Sequence, residues 1–235
     1  MTSEQSLDFT QATDITMQTY RQIAASYAKR HDSKNPPPFW QEHLARFVAQ
    51  VQSSPGWQAN AALPILDAGC GPGRDTLIFA QQGFMVQAID LSEGMLAQAH
   101  QICLNQPGSE RITFGQMDMR HLELPDASCA GAWISASFLH IPKKENQIVL
   151  SELVRVLAPG GALTLLVKEA DGEPDERYDP APEDGSPRFF ARYHGGELWN
   201  LLEQAGLSVI SLTADRHRRE SGEQSWLAAL ALKPV

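Results

Sequence analysis

The chain has 235 residues, of which 43% are hydrophobic and 20% are charged; this composition is typical of a globular protein and excludes a disordered or collagen-like chain. Its 19 Lys and Arg stand against 28 Asp and Glu, a net charge of −9, so binding to nucleic acid over a broad basic face is not expected. Because no apolar run has the roughly 20 residues of a membrane helix and the polar N-terminus is unlike a secretory signal, we expect a cytoplasmic protein without membrane contact.

The N-terminal part of the chain has a helical pattern that follows a flexible lead over residues 1–15. Apolar side chains recur three and four positions apart, which predicts helices over 16–30 and 39–51. Prolines separate the two, because proline has no amide donor and disfavours helix in the residue before it. We interpret residues 16–52 as a helical cap and residues 53–56 as a linker.

After the linker, short apolar strands alternate with helices. The predicted strands cover residues 64–68, 85–89, 112–116, 130–135, 162–168, 207–212 and 225–232. The predicted helices cover residues 75–82, 94–104, 144–157 and 196–205. Such alternation predicts an α/β fold: a Rossmann-like, seven-stranded, mostly parallel sheet whose last strand is antiparallel.

These elements form one domain over residues 16–235. Its cofactor-binding core is predicted over residues 64–169, and its C-terminal helix and strands over 196–235. Between them, residues 170–195 are interpreted as a lid or substrate loop, because 170–188 is rich in Pro, Gly and acidic residues.

The strongest motif is Asp-Ala-Gly-Cys-Gly-Pro-Gly at residues 67–73, which follows a buried strand and opens a helix. Glycines at alternate positions allow a tight turn and let a ligand approach the backbone. The helix start adds free amides and a positive dipole for an acidic ligand group.

Acidic residues follow the next two predicted strands. Asp90 ends the second strand, where a carboxylate can accept hydrogen bonds from both hydroxyls of a ribose. Asp118 follows the third strand and is expected to face the same crevice, where it can accept from an exocyclic amine such as that of adenine. Together with the glycine loop, these residues predict an adenosine-containing ligand.

With these motifs, and with Leu-Val-Arg-Val-Leu-Ala-Pro-Gly-Gly at residues 153–161, the chain resembles the class I S-adenosylmethionine-dependent methyltransferases, in a small-molecule-type branch. The resemblance implies that S-adenosylmethionine is the cofactor and S-adenosylhomocysteine the product. The residues that it implies for the cofactor site are Tyr20, Tyr27, Asp67, Gly69, Cys70, Gly71, Gly73, Asp90, Leu91, Met95, Asp118 and Met119.

The resemblance also implies a role for the main members of this set. Asp67 and the glycine loop would hold the methionine end, and Leu91 would lie against the adenine. The Met119 amide would bind a ring nitrogen. Tyr20 and Tyr27 would close over the methionine carboxylate and sulfonium, although aromatic residues at helical spacing also pack helices onto sheets.

His140, just beyond the fourth predicted strand, is a candidate base that could take a proton from the acceptor. It could instead form a hydrogen bond to the backbone and fix its loop. Lys168 and Glu169 end the fifth strand and could reach the acceptor or form a surface ion pair. Further along, Arg188 and Tyr193 belong to a cluster that could bind an acidic or aromatic acceptor. No metal site is expected, since the histidines lack HxxxH or HExxH spacing.

A small-molecule acceptor is favoured over RNA. Residues 171–184 contain seven acidic side chains against one arginine, which would repel a polyanion, so we expect a neutral, cationic or small aromatic acceptor. No oligomeric state is predicted.

Three alternatives to this function remain: a non-catalytic S-adenosylmethionine-binding partner subunit, an RNA-modifying methyltransferase, and an NAD(P)-dependent oxidoreductase. Asn35-Pro36-Pro37-Pro38-Phe39 looks like the signature of amide methyltransferases, but the polar residues before it carry no strand pattern, so a proline stop between helices explains it better.

Overall fold

A computed structural model describes residues 11–31, 36–172, 175–219 and 222–235. Residues 1–10 of the expected lead and Asn35 of the proline motif lie outside the described residues. The helices are α1 (Ala12–Arg30), α2 (Pro38–Ser53), α3 (Pro55–Ala59), α4 (Arg74–Gln81), α5 (Glu93–Cys103), α6 (Asn146–Val156) and α7 (Gly195–Gln204). The strands are β1 (Ile65–Ala68), β2 (Val86–Asp90), β3 (Ile112–Gln116), β4 (Cys129–Ser135), β5 (Leu157–Lys168), β6 (Glu176–Pro180), β7 (Pro187–Ala191), β8 (Ser208–Arg219) and β9 (Gly222–Leu232).

Within the described residues, seven strands form one sheet in the order β3-β2-β1-β4-β5-β9-β8. The pairs along β3-β2-β1-β4-β5 are parallel, whereas β9 pairs antiparallel with both of its neighbours. The prediction of a Rossmann-like sheet with an antiparallel last strand is therefore confirmed. The order reverses direction between β1 and β4, and in such sheets ligands bind at the carboxyl ends of the strands beside that point.

The core lies on both faces of the sheet, as near-continuous apolar strands require. Every residue of β1 is buried, and so are six of the seven residues of β4. Helix α2 packs on one face, where Phe47 and Val51 approach Gly131 of β4 so closely that a Cβ there would lie 2.6 Å from Val51. This helix therefore belongs to the core as well as to the cap.

Helix α1 covers the crevice and is tied to strand β7 by two buried threonines. The amide of Phe189 donates to Thr16 Oγ1 at 2.9 Å, and Thr19 Oγ1 donates to the carbonyl of Pro187 at 2.7 Å. The helix begins at Ala12, so the last residues of the expected lead are helical.

Two segments expected to be irregular contain regular structure. The linker at 53–56 runs into helix α3, whose first turn is capped by Ser54 Oγ accepting from the amide of Trp57 at 3.3 Å, with Pro55 at the position where its missing amide costs nothing. The expected loop at 170–188 contains a hairpin of β6 and β7. The prediction of a loop was wrong over β6 and β7, which pair antiparallel although they contain Pro and acidic residues.

Candidate active site

The loop between β1 and α4 has left-handed backbone at its three glycines, with φ of 75° at Gly69, 53° at Gly71 and 84° at Gly73. A Cβ at Gly69 would lie 2.2 Å from that of Ser137, and a Cβ at Gly73 would lie 3.0 Å from that of Ala99. At Gly71 nothing lies within 4 Å of the Cβ position. Two glycines are thus required by packing, whereas Gly71 faces open space in which a ligand can approach the backbone.

Gly71→Ala is therefore expected to block cofactor binding with little damage to the fold. The added methyl group fills the open side of the loop, and left-handed backbone costs alanine about 1–2 kcal/mol. Calorimetric titration with S-adenosylhomocysteine measures the loss. Gly83→Ala is the matched control, since Gly83 has φ of 93°, has nothing within 4 Å of its Cβ position and precedes the opposite end of β2. Equal binding by both variants would contradict the assignment.

Asp90 joins the glycine loop to the end of β2. Its Oδ2 accepts from the amide of Gly71 at 2.9 Å, and its Oδ1 accepts from the amide of Ser92 at 2.8 Å. Burial raises the pKa of this carboxyl, although the amides of Ser92 and Gly71 oppose the rise. Each oxygen retains a further lone pair, so the group can accept from two adjacent hydroxyls while it holds the loop.

Asp67 is buried behind the glycine loop. Its Oδ2 accepts from Thr76 Oγ1 at 2.5 Å, and burial together with nearby Asp75 raises its pKa to about 7. Asp75 in turn accepts from Trp133 Nε1 at 2.9 Å through its Oδ2 and pairs with Arg74 through its Oδ1 at 2.7 Å. The structure thus places Asp67 where it supports the loop from within, beside the predicted cofactor site.

Asp118 lies beyond β3, as predicted, but its carboxylate is held by Arg120. Arg120 Nε lies 3.0 Å from each carboxylate oxygen, and Nη2 lies 2.5 Å from Oδ2. Against the effect of burial, these hydrogen bonds lower the pKa of Asp118. Arg120 also pairs with Glu145 at 2.7 Å. An adenine amine would therefore share this carboxylate with a guanidinium.

The remaining predicted cofactor residues differ in exposure. Met119 approaches the glycine loop, with Cε 3.7 Å from the Cβ position of Gly69, and Leu91 is partly exposed. Cys70 and Met95 are buried, and burial raises the pKa of the Cys70 thiol well above its usual range. The structure places Met95 in α5, where its amide donates to the Ser92 hydroxyl at 3.4 Å and its side chain is 2% exposed.

Tyr20 and His140 form a hydrogen-bonded pair across the crevice. The carbonyl of Phe189 lies 2.7 Å from His140 Nδ1 and can only accept, so Nδ1 carries the proton and the bare Nε2 accepts from the Tyr20 hydroxyl at 2.8 Å. Burial lowers the pKa of His140 to about 3 and raises that of Tyr20 far above its usual range. Tyr27 packs edge-on against Tyr20 with ring centroids 5.5 Å apart. The two tyrosines and the histidine are thus brought together.

A cluster of cations surrounds the ring of Phe190 on β7, and we call it the Phe190 cluster: Lys168, Arg188, Arg192 and Phe190. Lys168 Nζ lies 3.5 Å from the ring centroid, and the guanidinium carbons of Arg188 and Arg192 lie 5.2 and 5.7 Å away. Burial and the charge of Arg192 lower the pKa of Lys168 to about 8. Phe190 also lies beside His140, with centroids 4.6 Å apart. The cluster therefore adjoins the Tyr20–His140 pair.

Two predicted acceptor residues lie away from this cluster. Tyr193 is fully buried and donates its hydroxyl to Asn146 Oδ1 at 3.1 Å, and Glu169 accepts from the Ser225 hydroxyl. Residues alternate between the two sides of β7, so the side chains at 188, 190 and 192 share one side while Phe189 and Tyr193 take the other.

Two ion pairs that shape this site were not predicted from the sequence. Arg192, which the sequence places in the same cluster as Arg188, pairs with Asp179 at 2.6 Å, and Arg30 of α1 pairs with Glu183 of the β6–β7 turn at 2.8 Å. The pattern Arg-x-Phe-x-Arg at 188–192 has the period of a strand, which indicates that Arg188 and Arg192 share one side. The Arg30–Glu183 pair joins positions distant in the chain, and no local pattern indicates it.

The glycine loop and a carboxylate placed to bind ribose hydroxyls lie beside the point where the strand order of a doubly wound sheet reverses. This arrangement defines a cofactor-binding protein of the Rossmann-like class. A family described as "Methyltransferase domain" matches residues 65–161. The putative methyltransferase YqeM of Bacillus subtilis is 35% identical over 174 residues, which cover 70% of this chain and 69% of that protein. The chain therefore belongs to the class I S-adenosylmethionine-dependent methyltransferases.

Other relatives are more distant. Methyltransferase GfsG of Streptomyces halstedii is 29% identical, and the S-adenosyl-L-methionine-dependent Diels-Alderase iccD of Talaromyces variabilis is 33% identical; each match covers 66% of this chain and 56% of the relative. The chain thus spans a little over half the length of these two curated relatives. The Burkholderia thailandensis 1,6-didemethyltoxoflavin-N1-methyltransferase structure aligns with a TM-score of 0.67 at 22% identity, covering 95% of this chain and 89% of that one. This last likeness shows the shared fold.

Among the residues that the structure describes, no helix is both long and apolar enough to span a membrane.

Proposed function

We propose that this protein transfers the methyl group of S-adenosylmethionine to a small-molecule acceptor. The observation that carries the proposal is the open space in front of Gly71, directly beside the Asp90 carboxylate. A Cβ would fill this cradle, and the two features match the methionine end and the ribose of the cofactor. A cytoplasmic location is part of the proposal and rests on the hydropathy pattern described in the sequence analysis.

In this proposal the chain binds the cofactor through groups at the ends of the first three strands. The open side of the glycine loop at Gly71 takes the methionine end, Asp90 takes the ribose hydroxyls, and Leu91 lies against the adenine. Asp118 and the amide of Met119 bind the adenine edge, with Arg120 sharing the Asp118 carboxylate. The bound cofactor supplies a methyl group on a positively charged sulfonium.

Tyr20 and Tyr27 cover the reacting centre in this proposal. Their rings meet edge to face on α1 and exclude water, so that an acceptor can align with the sulfonium in a dry site. His140 fixes Tyr20, because its Nε2 accepts a hydrogen bond from the tyrosine hydroxyl while Nδ1 donates to the carbonyl of Phe189. His140 as the base itself stays a prediction: with a pKa of about 3, it takes a proton only from an acidic donor.

A small acceptor is supported by the way α1 and the β6–β7 hairpin close the crevice. Thr16 and Thr19 bond to β7, and Arg30 pairs with Glu183 at the hairpin turn, where the glutamate side chain is 3% exposed. A duplex or folded RNA would need these contacts to break. On the acceptor side we propose Lys168 and Arg188; Glu169 and Tyr193, also predicted there, bond to Ser225 and Asn146 instead.

A second candidate is a reaction that uses the bound cofactor without methyl transfer. The name of the relative iccD, a Diels-Alderase dependent on S-adenosyl-L-methionine, favours it. The [4+2]-cyclase SpnF shares the fold of this chain (TM-score 0.68, 19% identity, 95% of this chain and 97% of that one). The Tyr20–His140 pair is compatible with either chemistry, so turnover must decide between them.

The test uses S-adenosylmethionine labelled in its methyl group. We expect the wild-type protein to bind S-adenosylhomocysteine and to pass label into a deproteinised metabolite extract. Label in added tRNA or rRNA, with none in the metabolites, would contradict the small-molecule acceptor. Cofactor binding without any label transfer would favour the second candidate, and absence of binding by the folded protein would contradict both.

A further inference from the structure

Arg188 is distinctive among the arginines whose side chains the structure describes, because it forms no ion pair with a carboxylate there. The other described arginines pair with at least one acidic side chain. Within the described part of the chain, Arg188 makes two hydrogen bonds, both long, from Nη1 to the Tyr20 hydroxyl at 3.4 Å and from Nη2 to the carbonyl of Pro180 at 3.3 Å. Its Nε is buried and has no hydrogen-bond partner among the described residues.

A buried donor on a charged group is costly to leave without a partner. Arg188 lies between the rings of Tyr20 and Phe190, at 5.7 and 5.2 Å, and those rings hold the guanidinium in place without neutralising it. It also adjoins the Tyr20–His140 pair. The guanidinium is therefore fixed beside the proposed reacting centre, and its donors have only weak hydrogen-bond partners or none among the described residues.

The surrounding charges leave an excess of positive charge. Lys168 lies 3.6 Å from Asp179, but Asp179 also pairs with Arg192 at 2.6 Å and Arg177 at 3.1 Å. Arg177 and Arg192 further share Asp171. Three cationic side chains thus share two carboxylates, and Arg188 adds a fourth positive charge beside them. Burial first, and then the positive charges of Arg192 and Arg188, lower the pKa of Lys168.

The acidic residues of 171–184 do not cancel this excess. Asp171 and Asp179 are used within the cluster, Asp175 pairs with Lys143 at 3.0 Å, and Glu183 pairs with Arg30 at 2.8 Å. The expectation of a neutral or cationic acceptor rested on the repulsion of anions by this segment. Because these four charges are paired with cations, the repulsion of anions at the cluster is weaker than the net charge of the segment indicates; Glu176 and Asp184 accept hydrogen bonds from the amides of Lys143 and Ser186.

We infer that the methyl acceptor carries a carboxylate and that Arg188 binds it through the donors of its guanidinium fork. The planar fork matches a carboxylate in a bidentate geometry. The inference rests on the proposed function, since it assigns the acceptor class of the same site. It makes Arg188 a specificity-determining residue and gives Lys168 the role of adding positive charge nearby.

The experiment measures binding of matched acid and amide probes to the full chain, with and without saturating S-adenosylhomocysteine. The probes are 4-hydroxybenzoate with 4-hydroxybenzamide, and octanoate with octanamide. We expect the acid of at least one pair to bind about tenfold or more tightly than its amide. Arg188→Met should weaken that acid about thirtyfold and leave the amide unchanged, and Arg188→Lys should restore part of the loss.

Arg46→Met is the matched control, because Arg46 is an exposed arginine of α2 paired with Glu42. It removes one positive charge elsewhere and should leave acid binding as in the wild type. Thermal melting of each variant checks that it is folded. Equal binding of acid and amide, binding of neither, or full acid binding by Arg188→Met would overturn the inference. If inorganic phosphate displaced both acids, and did so in the wild type but not in Arg188→Met, the assignment of a carboxylate as the ligand of Arg188 would be wrong.

A further titration distinguishes a role of Arg188 in binding the acceptor from a role in binding the cofactor, whose methionine end also carries a carboxylate. S-adenosylhomocysteine has that carboxylate, and 5′-methylthioadenosine lacks it. We expect Arg188→Met to bind both as the wild type does. A loss confined to S-adenosylhomocysteine would assign Arg188 to the cofactor and overturn the inference. If the wild type failed to bind S-adenosylhomocysteine, the proposed function would be contradicted. The titrations with acids and amides in the absence of S-adenosylhomocysteine would still test whether Arg188 binds a carboxylate.

Discussion

Replacing Asp90 with asparagine is expected to weaken binding of S-adenosylhomocysteine about 100-fold. Each hydrogen bond to a charged acceptor contributes about 1.5–3 kcal/mol, and the carboxylate can accept from two ribose hydroxyls where an amide accepts with one oxygen. The substitution also leaves one of its two amide partners, Gly71 or Ser92, without an acceptor, and gives the other a neutral one. Calorimetric titration of the variant and the wild type gives the ratio of dissociation constants.

The control compares ligands as well as proteins. Wild-type protein should bind 5′-methylthioadenosine more tightly than its 2′-deoxy form, and Asp90→Asn should lose most of that discrimination. Asp126→Asn serves as the matched variant, because Asp126 is an exposed aspartate whose partner Arg155 also pairs with Glu152. If Asp90→Asn lost affinity equally for both ligands, Asp90 would act on the loop alone and the ribose assignment would be wrong.

The sequence was most informative where a local pattern carries a spatial consequence. Parallel strands end at one edge of the sheet, so residues directly after β1, β2 and β3 must lie together. The register bears this out at Asp90, which pairs with Gln116 of β3 one strand away from the glycine loop. The glycines at 69, 71 and 73 could be identified, but only the packing shows that Gly71 alone among them faces open space.

The sequence was least informative where function depends on how charges pair across the fold. Asp118 could be placed at the crevice, but its partner Arg120 and the link to Glu145 could not. Residues 171–184 could be seen to be acidic, whereas the ion pairs of Asp175, Asp179 and Glu183 involve Lys143, Arg192 and Arg30 from three other segments. The net charge of a segment does not give the local field, because an ion pair depends on tertiary contacts.

The hairpin was missed for a different reason. Composition at 170–188 is dominated by turn-forming residues, and these do form the turn: the amide of Ser186 donates to Asp184 Oδ1 at 2.9 Å, and Gly185 has φ of 77°. The strands on either side are only five residues each. Their alternation is visible at 188–192, yet a short strand on a small separate sheet has few residues with which to establish its period.

Acid is expected to destabilise the wild-type protein more steeply than a His140→Asn variant. The pKa of His140 is about 3 in the folded protein, below its usual 6.5. Between these values the unfolded chain binds the proton and the folded chain does not, so the histidine favours folding above pH 6.5 and loses that contribution as pH falls. The slope is at most about 1.4 kcal/mol per pH unit, and the total is on the order of several kcal/mol.

Asp67 acts in the opposite direction. Its pKa is raised to about 7 in the folded protein, so its contribution is present below the unfolded value and is lost as pH rises through 7. The two slopes partly cancel in the wild type between about pH 4 and 6.5. Burial also lowers the pKa values of His31 and His43, which act in the same direction as His140. Removing His140 should therefore make the stability of the variant rise less with pH across that range than that of the wild type.

Urea unfolding at several pH values between 4 and 7 measures the difference, with exposed His121→Asn as the matched control. The free energy of unfolding of the wild type minus that of His140→Asn should decrease as pH falls, while His121→Asn should not reproduce the change. A parallel pair of curves for wild type and His140→Asn would mean that His140 titrates as it does in the unfolded chain. Its Nε2 would then be available to take a proton from the acceptor near neutral pH, and the residue would be a base and not the positioning partner of Tyr20.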